Sequence, residues 1–146
     1  MPAPRPLAAL DQDIAHWAQE GIEVIASLIE EDEIGGLEAE GDLCREAGLE
    51  FISFPIADKG VPDSDAEAAE LARLLAQHVS SGRPVAIHCR AGIGRASLIA
   101  AAVLICLDVD AETALAMITE ARGVRVPETD GQRQWVKRFQ ELLACK

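Results

Sequence analysis

The 146-residue sequence predicts an α/β fold, a three-layer sandwich with a small, mainly parallel central sheet flanked by helices. Three observations carry this expectation. Apolar, β-branched runs at Ile22–Ile29, Leu49–Ile56 and Val85–Cys89 have the length of strands. Segments of helical spacing separate them, and strands alternating with helices favour parallel pairing through crossovers. The run Val85–Cys89 is short and apolar, of the buried parallel kind, and the segment Arg95–Leu107 behind it is apolar on almost every side. That combination places Val85–Cys89 at the centre of the sheet, with its carboxyl end where such sheets hold ligands.

Each element follows from local signals. Residues 1–10, rich in proline and alanine, predict an extended lead-in, and Asp11–Glu20 a short helix stopped at Gly21. Ile22–Ile29 is the first strand. Glu30–Ala47 is polar with helical spacing at Ile34, Leu37 and Leu43, weakened by Gly35, Gly36 and Gly41. Leu49–Ile56 is a strand that Pro55 ends early or confines to an edge. After a loop over Ala57–Ser64, Asp65–Ser80 is a helix with Ala68, Leu71, Leu75 and Val79 on one face, broken by Ser81-Gly-Arg-Pro84. Two more helices, Ala111–Arg122 and Glu128–Ala144, complete a single domain over residues 1–146.

Composition excludes several function classes. The net charge is −12 and no Lys/Arg cluster interrupts it, so a nucleic-acid backbone would be repelled. Cys44, Cys89, Cys106 and Cys145 match neither a zinc spacing nor a disulfide scaffold, which predicts reduced thiols, no metal and no cofactor. The N-terminus lacks the apolar core of a signal peptide. The longest apolar run, Leu98–Leu107, falls well below the roughly 20 residues of a membrane span. A soluble, cytoplasmic monomer is expected.

The chemistry is concentrated in Val85-Ala-Ile-His-Cys-Arg-Ala-Gly-Ile-Gly-Arg-Ala-Ser97, where a strand passes through a glycine-bearing loop into a helix. Gly92 and Gly94 allow successive main-chain amides to point at one spot, which forms an anion-binding nest. The helix beginning at Arg95 directs its positive end to the same place. A free thiol titrates near 8.5, and cations with a helix N-terminus lower that to roughly 3.5–7.5. Cys89 is therefore expected as a thiolate nucleophile beneath a phosphate cradle made by Arg90, Ala91, Gly92, Ile93, Gly94 and Arg95.

His88-Cys-Arg-Ala-Gly-Ile-Gly-Arg95 matches the HCxxGxxR signature, and the chain resembles the cysteine-dependent protein phosphatases, the small dual-specificity group in particular. Phe54-Pro-Ile-Ala-Asp-Lys-Gly-Val-Pro-Asp63 is similar to the general-acid loop of the cyclin-dependent kinase-associated phosphatases within that group, and the likeness runs from about Gly21 onward. The resemblance implies a protein tyrosine phosphatase-like fold and hydrolysis of phosphotyrosine, with phosphoserine and phosphothreonine as further substrates. It implies a phosphocysteine on Cys89, oxygens held by Arg95, Asp58 as general acid and then base, and Gln132 beside the hydrolytic water, with Gln134 as alternative. Phosphorylated proteins or peptides would be the partners, and phosphate, vanadate or tungstate would occupy the site. The family places Ser or Thr after the arginine, where its hydroxyl assists departure of the sulfur; here Ala96 stands there, which predicts slow second-step hydrolysis.

Competing readings remain at several positions. Asp63 competes with Asp58, or caps the following helix. His88 alternates away from Cys89 and fits a structural role. Arg90 and Lys59 either steer substrate or are simply solvated. The run Glu30-Glu-Asp-Glu33 reads as a solvated helix start, and Trp17, Trp135 and Phe139 as core aromatics. Two other functions fit the motif, a phosphate-reading pseudophosphatase and a phosphatase of phosphoinositides or other small phosphomonoesters.

Overall fold

A computed structural model describes residues 14–29, 37–57, 60–88, 94–123, 126, 127 and 129–144. Helical residues 14–19 (α1) lead into Val24–Ser27 (β1), Leu37–Glu46 (α2), Glu50–Ser53 (β2), Asp65–Ser80 (α3), Val85–His88 (β3), Arg95–Cys106 (α4), Ala111–Arg122 (α5) and Asp130–Ala144 (α6). The expected lead-in over residues 1–10 and the acidic run at 30–33 lie outside the described residues.

The three strands form a parallel sheet of order β2-β1-β3, with Val24 opposite Glu50 and Val85, and Ser27 opposite Ser53 and His88. Parallel pairing and the edge position of the Pro55-terminated strand follow the sequence expectation. The central strand does not. Among the described residues β1 is central and β3 lies on the outside, because β1 is the strand whose four residues are all buried, whereas burial alternates along β3. The strands are also shorter than predicted, although single hydrogen bonds extend them: Glu23 N–H donates to the Pro84 carbonyl at 2.9 Å and Leu28 N–H to the His88 carbonyl at 3.0 Å.

Period-2 alternation along β1 builds a core on each side of the sheet. Ile25 faces one side with Ile14, Cys44, Leu49 and Ala86, covered by α1 and α2. Val24 and Ala26 face the other, with the apolar residues of α3, α4, α5 and α6. This is the three-layer sandwich. α4 is buried from Arg95 to Ile99 and packs against α3, α5, α6 and β3, consistent with its apolar character all round.

Capping residues set the helix limits. Ser64 Oγ accepts from Glu67 N–H and starts α3 where the sequence predicted it. Asp63 is exposed and does not cap that helix. Asp110 caps α5, and Gly123 ends it at φ 75°. α6 starts at Asp130 rather than Glu128, because Thr129 is its N-cap: Thr129 Oγ1 accepts from Gln132 N–H at 3.1 Å. Along α3 the buried face is Ala68, Ala69, Leu71, Ala72, Leu75 and Ala76; Val79, expected with them, is 43% exposed. Trp135 and Phe139 are stacked core aromatics, their ring centroids 5.0 Å apart.

Candidate active site

Parallel pairing brings the carboxyl ends of β1, β2 and β3 to one end of the sheet. The chain leaving β3 enters the glycine loop, and the chain leaving β2 enters the segment predicted to hold the general acid. Cys89, Arg90, Ala91, Gly92 and Ile93 lie outside the described residues, as do Asp58 and Lys59. Their flanks are described.

Gly94 is the N-cap of α4, with φ −90° and ψ −81°, and no side chain caps this end. The first turn also contains no acidic residue, so the positive end of the helix is not neutralised from its own first turn. Arg95 is the first helical residue and is only 2% exposed. Its Nη1 donates to the Ile56 carbonyl at 2.8 Å, across 39 residues of sequence. Guanidinium is a planar fork with five donors, so one donor on a fixed carbonyl orients the rest.

The described residues of the segment receiving that bond are held by main-chain hydrogen bonds. Phe54 N–H donates to the Ser27 carbonyl at 2.8 Å and Ile56 N–H to the Leu28 carbonyl at 2.9 Å, extending the sheet contact beyond Pro55. Gly60 N–H donates to the Ala57 carbonyl at 2.8 Å, and a Cβ at Gly60 would stand 2.9 Å from that oxygen. Glycine is required there by close approach rather than by φ.

Gln132 reaches the same segment from α6. Its Nε2 donates to the Gly60 carbonyl at 2.9 Å while its Oε1 accepts from Thr129 N–H at 3.2 Å, and the residue is fully buried. Arg95 and Gln132 thus hold carbonyls on either side of sequence position 58. Gln134 is exposed and takes no part in this arrangement. Three residues beyond Gln132 on α6, Trp135 Nε1 donates to Asp65 Oδ1 at 2.9 Å and ties the start of α3 to the same helix.

Other predicted positions sort themselves by face. His88 is fully buried on the α1 side of the sheet, its ring 5.8 Å from that of Trp17. Ala96 and Ser97 are both buried in the first turn of α4. Cys106 closes α4, eleven residues and roughly 16 Å from Arg95 at the usual helical rise, and burial pushes its thiol up, partly offset by Arg73. Sequence reasoning missed that the partners of Arg95 and Gln132 are backbone carbonyls. It also missed the Thr129-x-x-Gln132 capping box, which is legible as a spacing.

Comparison with known proteins identifies the family and the fold. A family model described as "Polymorphic toxin system, DSP-PTPase phosphatase" matches residues 1–108. Cyclin-dependent kinase inhibitor 3 of Homo sapiens is 32% identical over 106 residues, covering 71% of this chain and 50% of that protein. The counterpart in Rattus norvegicus is 30% identical over the same length, so the chain spans about half the length of the curated relatives it matches. Among solved structures, kinase associated phosphatase with its catalytic cysteine replaced by serine superposes with a TM-score of 0.82 at 27% identity, covering 93% of this chain and 78% of that one. A mutant form of Tk-PTP gives 0.81 at 25% identity, over 99% and 90% of the two chains. PTPMT1 in complex with PI(5)P shares the fold at 0.81 and 21% identity, over 98% and 90%. Among the described residues no helix is long and apolar enough to cross a membrane.

Proposed function

The chain belongs to the DSP-PTPase family of dual-specificity protein tyrosine phosphatases, and from that premise we propose that residues 1–146 form one catalytic domain that hydrolyses phosphotyrosine, and also phosphoserine and phosphothreonine, in proteins. In the first step the Cys89 thiolate forms a bond to phosphorus as the bond to the leaving oxygen breaks. Asp58 gives that oxygen its proton. In the second, water attacks the phosphocysteine, Asp58 takes a proton from it, and the sulfur leaves as thiolate with release of phosphate. Arg95 and the amides of Arg90, Ala91, Gly92, Ile93 and Gly94 hold the phosphoryl oxygens through both steps.

The observation supporting this reading is that Arg95, at the start of α4, and Gln132, in the first turn of α6, bond to the Ile56 and Gly60 carbonyls, on either side of sequence position 58. The catalytic groups named need neither metal nor cofactor. A cytoplasmic monomer acting on phosphorylated proteins or peptides is part of the proposal.

Release of p-nitrophenol from p-nitrophenyl phosphate tests it. Turnover by the wild type, its loss in Cys89→Ser, and protection of Cys89 from iodoacetate by vanadate are expected. Turnover that survives Cys89→Ser rejects the mechanism, and vanadate binding without turnover identifies a phosphate reader instead. A panel of phosphopeptides against phosphoinositides then assigns the substrate class, with peptides expected to be preferred.

A further inference from the structure

We propose that Gln132 is a positioning residue that holds the segment carrying Asp58, and that it does not place the hydrolytic water. The inference rests on the phosphatase reading above. It departs from the role that family resemblance implies for this residue.

Both ends of the Gln132 amide are committed. Gln132 occupies the third position of α6, and Thr129-x-x-Gln132 is a reciprocal capping box: Thr129 Oγ1 accepts from Gln132 N–H at 3.1 Å and Gln132 Oε1 accepts from Thr129 N–H at 3.2 Å. With Oε1 turned to Thr129, the NH₂ end faces the Gly60 carbonyl and donates at 2.9 Å. The reverse orientation would set oxygen against oxygen at Gly60 and donor against donor at Thr129, so the hydrogen-bond network admits one arrangement. The side chain is fully buried, and a water-placing group needs solvent on one side.

The Gly60 end of the segment has no slack. Its N–H donates to the Ala57 carbonyl, and its Cα approaches that oxygen too closely for a side chain. At the other end Arg95 holds the Ile56 carbonyl. A general acid works only when its proton lies within hydrogen-bond reach of the leaving oxygen, and displacement by about 1 Å costs on the order of a hundredfold. Holding the carbonyls two residues before and two residues after position 58 limits how far the chain between them can shift.

Gln132→Glu separates the two roles. Glutamate is equally able to complete the capping box, so α6 keeps its start, but it presents an acceptor to the Gly60 carbonyl where glutamine presents a donor. The experiment measures kcat/KM across aryl phosphates of rising leaving-group basicity, together with the presteady-state burst, for the wild type, Gln132→Glu and Gln132→Ala. Since kcat/KM reports events up to formation of the phosphocysteine, loss of acid positioning lowers it by about tenfold to a hundredfold for phenyl phosphate and a phosphotyrosine peptide. For 2,4-dinitrophenyl phosphate, whose leaving group needs no proton, little change is expected. The limb of the kcat/KM pH profile that reports Asp58 also flattens toward that of Asp58→Asn. Unchanged kcat/KM with an enlarged burst would assign Gln132 to the water step and overturn the proposal, and so would an equal fall for every leaving group. A wild type inert to the whole series removes the phosphatase reading itself, an outcome distinct from both.

Discussion

Arg95→Met removes every side-chain donor at position 95 while keeping an unbranched stem, and its cost can be worked from the hydrogen bond to Ile56. That bond is 2.8 Å long, and both residues are 2% exposed, so solvent does not replace it when it is lost. Hydrogen bonds to charged groups contribute about 1.5–3 kcal/mol. Removing a buried guanidinium also relieves its desolvation, which places the net cost near the low end, about 1.5 kcal/mol. For a domain of this size each kcal/mol shifts the melting temperature by about 2–4 °C, so a fall of roughly 3–6 °C is expected by calorimetry. Saturating vanadate should raise the melting temperature of the wild type, by about 2.7 kcal/mol of added stability at a hundredfold excess over Kd, and should leave Arg95→Met unmoved. Arg95→Lys tests the fork itself: an ammonium can keep one bond to Ile56 and recover part of the stability, but it cannot also hold two phosphoryl oxygens, and kcat/KM should fall about 10²–10³-fold. An Arg95→Met protein that melts with the wild type and still responds to vanadate would refute the reasoning.

Three further outcomes are expected. Ala96→Ser places a hydroxyl on the buried first turn of α4, beside a cavity of about 300 Å³ lined by Ala96, Ser97, Val85 and Ile87 that leaves room for it. A hydrogen bond to the departing sulfur of about 1.5 kcal/mol corresponds to roughly tenfold faster dephosphorylation, seen in stopped flow as higher turnover with a smaller burst; unchanged kinetics in both phases would show that another group assists the sulfur. Asp110 accepts from Thr113 N–H and Thr113 Oγ1, each at 2.8 Å, and its carboxyl titrates below the ordinary value, chiefly through the bond from the Thr113 backbone. A depressed folded-state pKa gives stability that is present above the unfolded value and lost as pH falls through the folded one. Asp110→Ala should therefore melt below the wild type at neutral pH, with the gap closing in acid, and a gap independent of pH would contradict this. Cys106, whose thiol burial pushes up, should remain protonated at neutral pH and take iodoacetamide far more slowly than Cys89; equal labelling by peptide mass mapping would sink the distinction between the two thiols.

Much of the architecture was legible along the chain because local chemistry specifies it. α3 and α5 occupy the predicted residues, since Ser64 and Asp110 stand at their N-caps and Gly123 takes the left-handed conformation that ends α5. The α4 limit at Arg95 follows from the glycine loop before it. Strand order was not legible, because periodicity marks which residues are buried and not which strand lies beside which. Among the described residues β1 is central and covered on both faces, by the neighbouring α1 and α2 on one side and, on the other, by α3, α4, α5 and α6, which lie far along the chain. Val79 fits the helical stripe of α3 yet is exposed, because a stripe read from spacing does not show which turns a neighbour covers.

The sequence by itself determined the chemistry available to this protein: a cysteine and an arginine flanking a glycine loop, an aspartate on a separate loop, and a glutamine at the start of the last helix. Tertiary structure alone decided how the arginine and the glutamine are held. Arg95 and Gln132 act on the carbonyls of Ile56 and Gly60, 39 and 72 residues away. Every residue carries the same carbonyl, so no side-chain identity marks the ones that matter. Only folding, which selects two of them by bringing distant segments within 3 Å, makes them part of the candidate site.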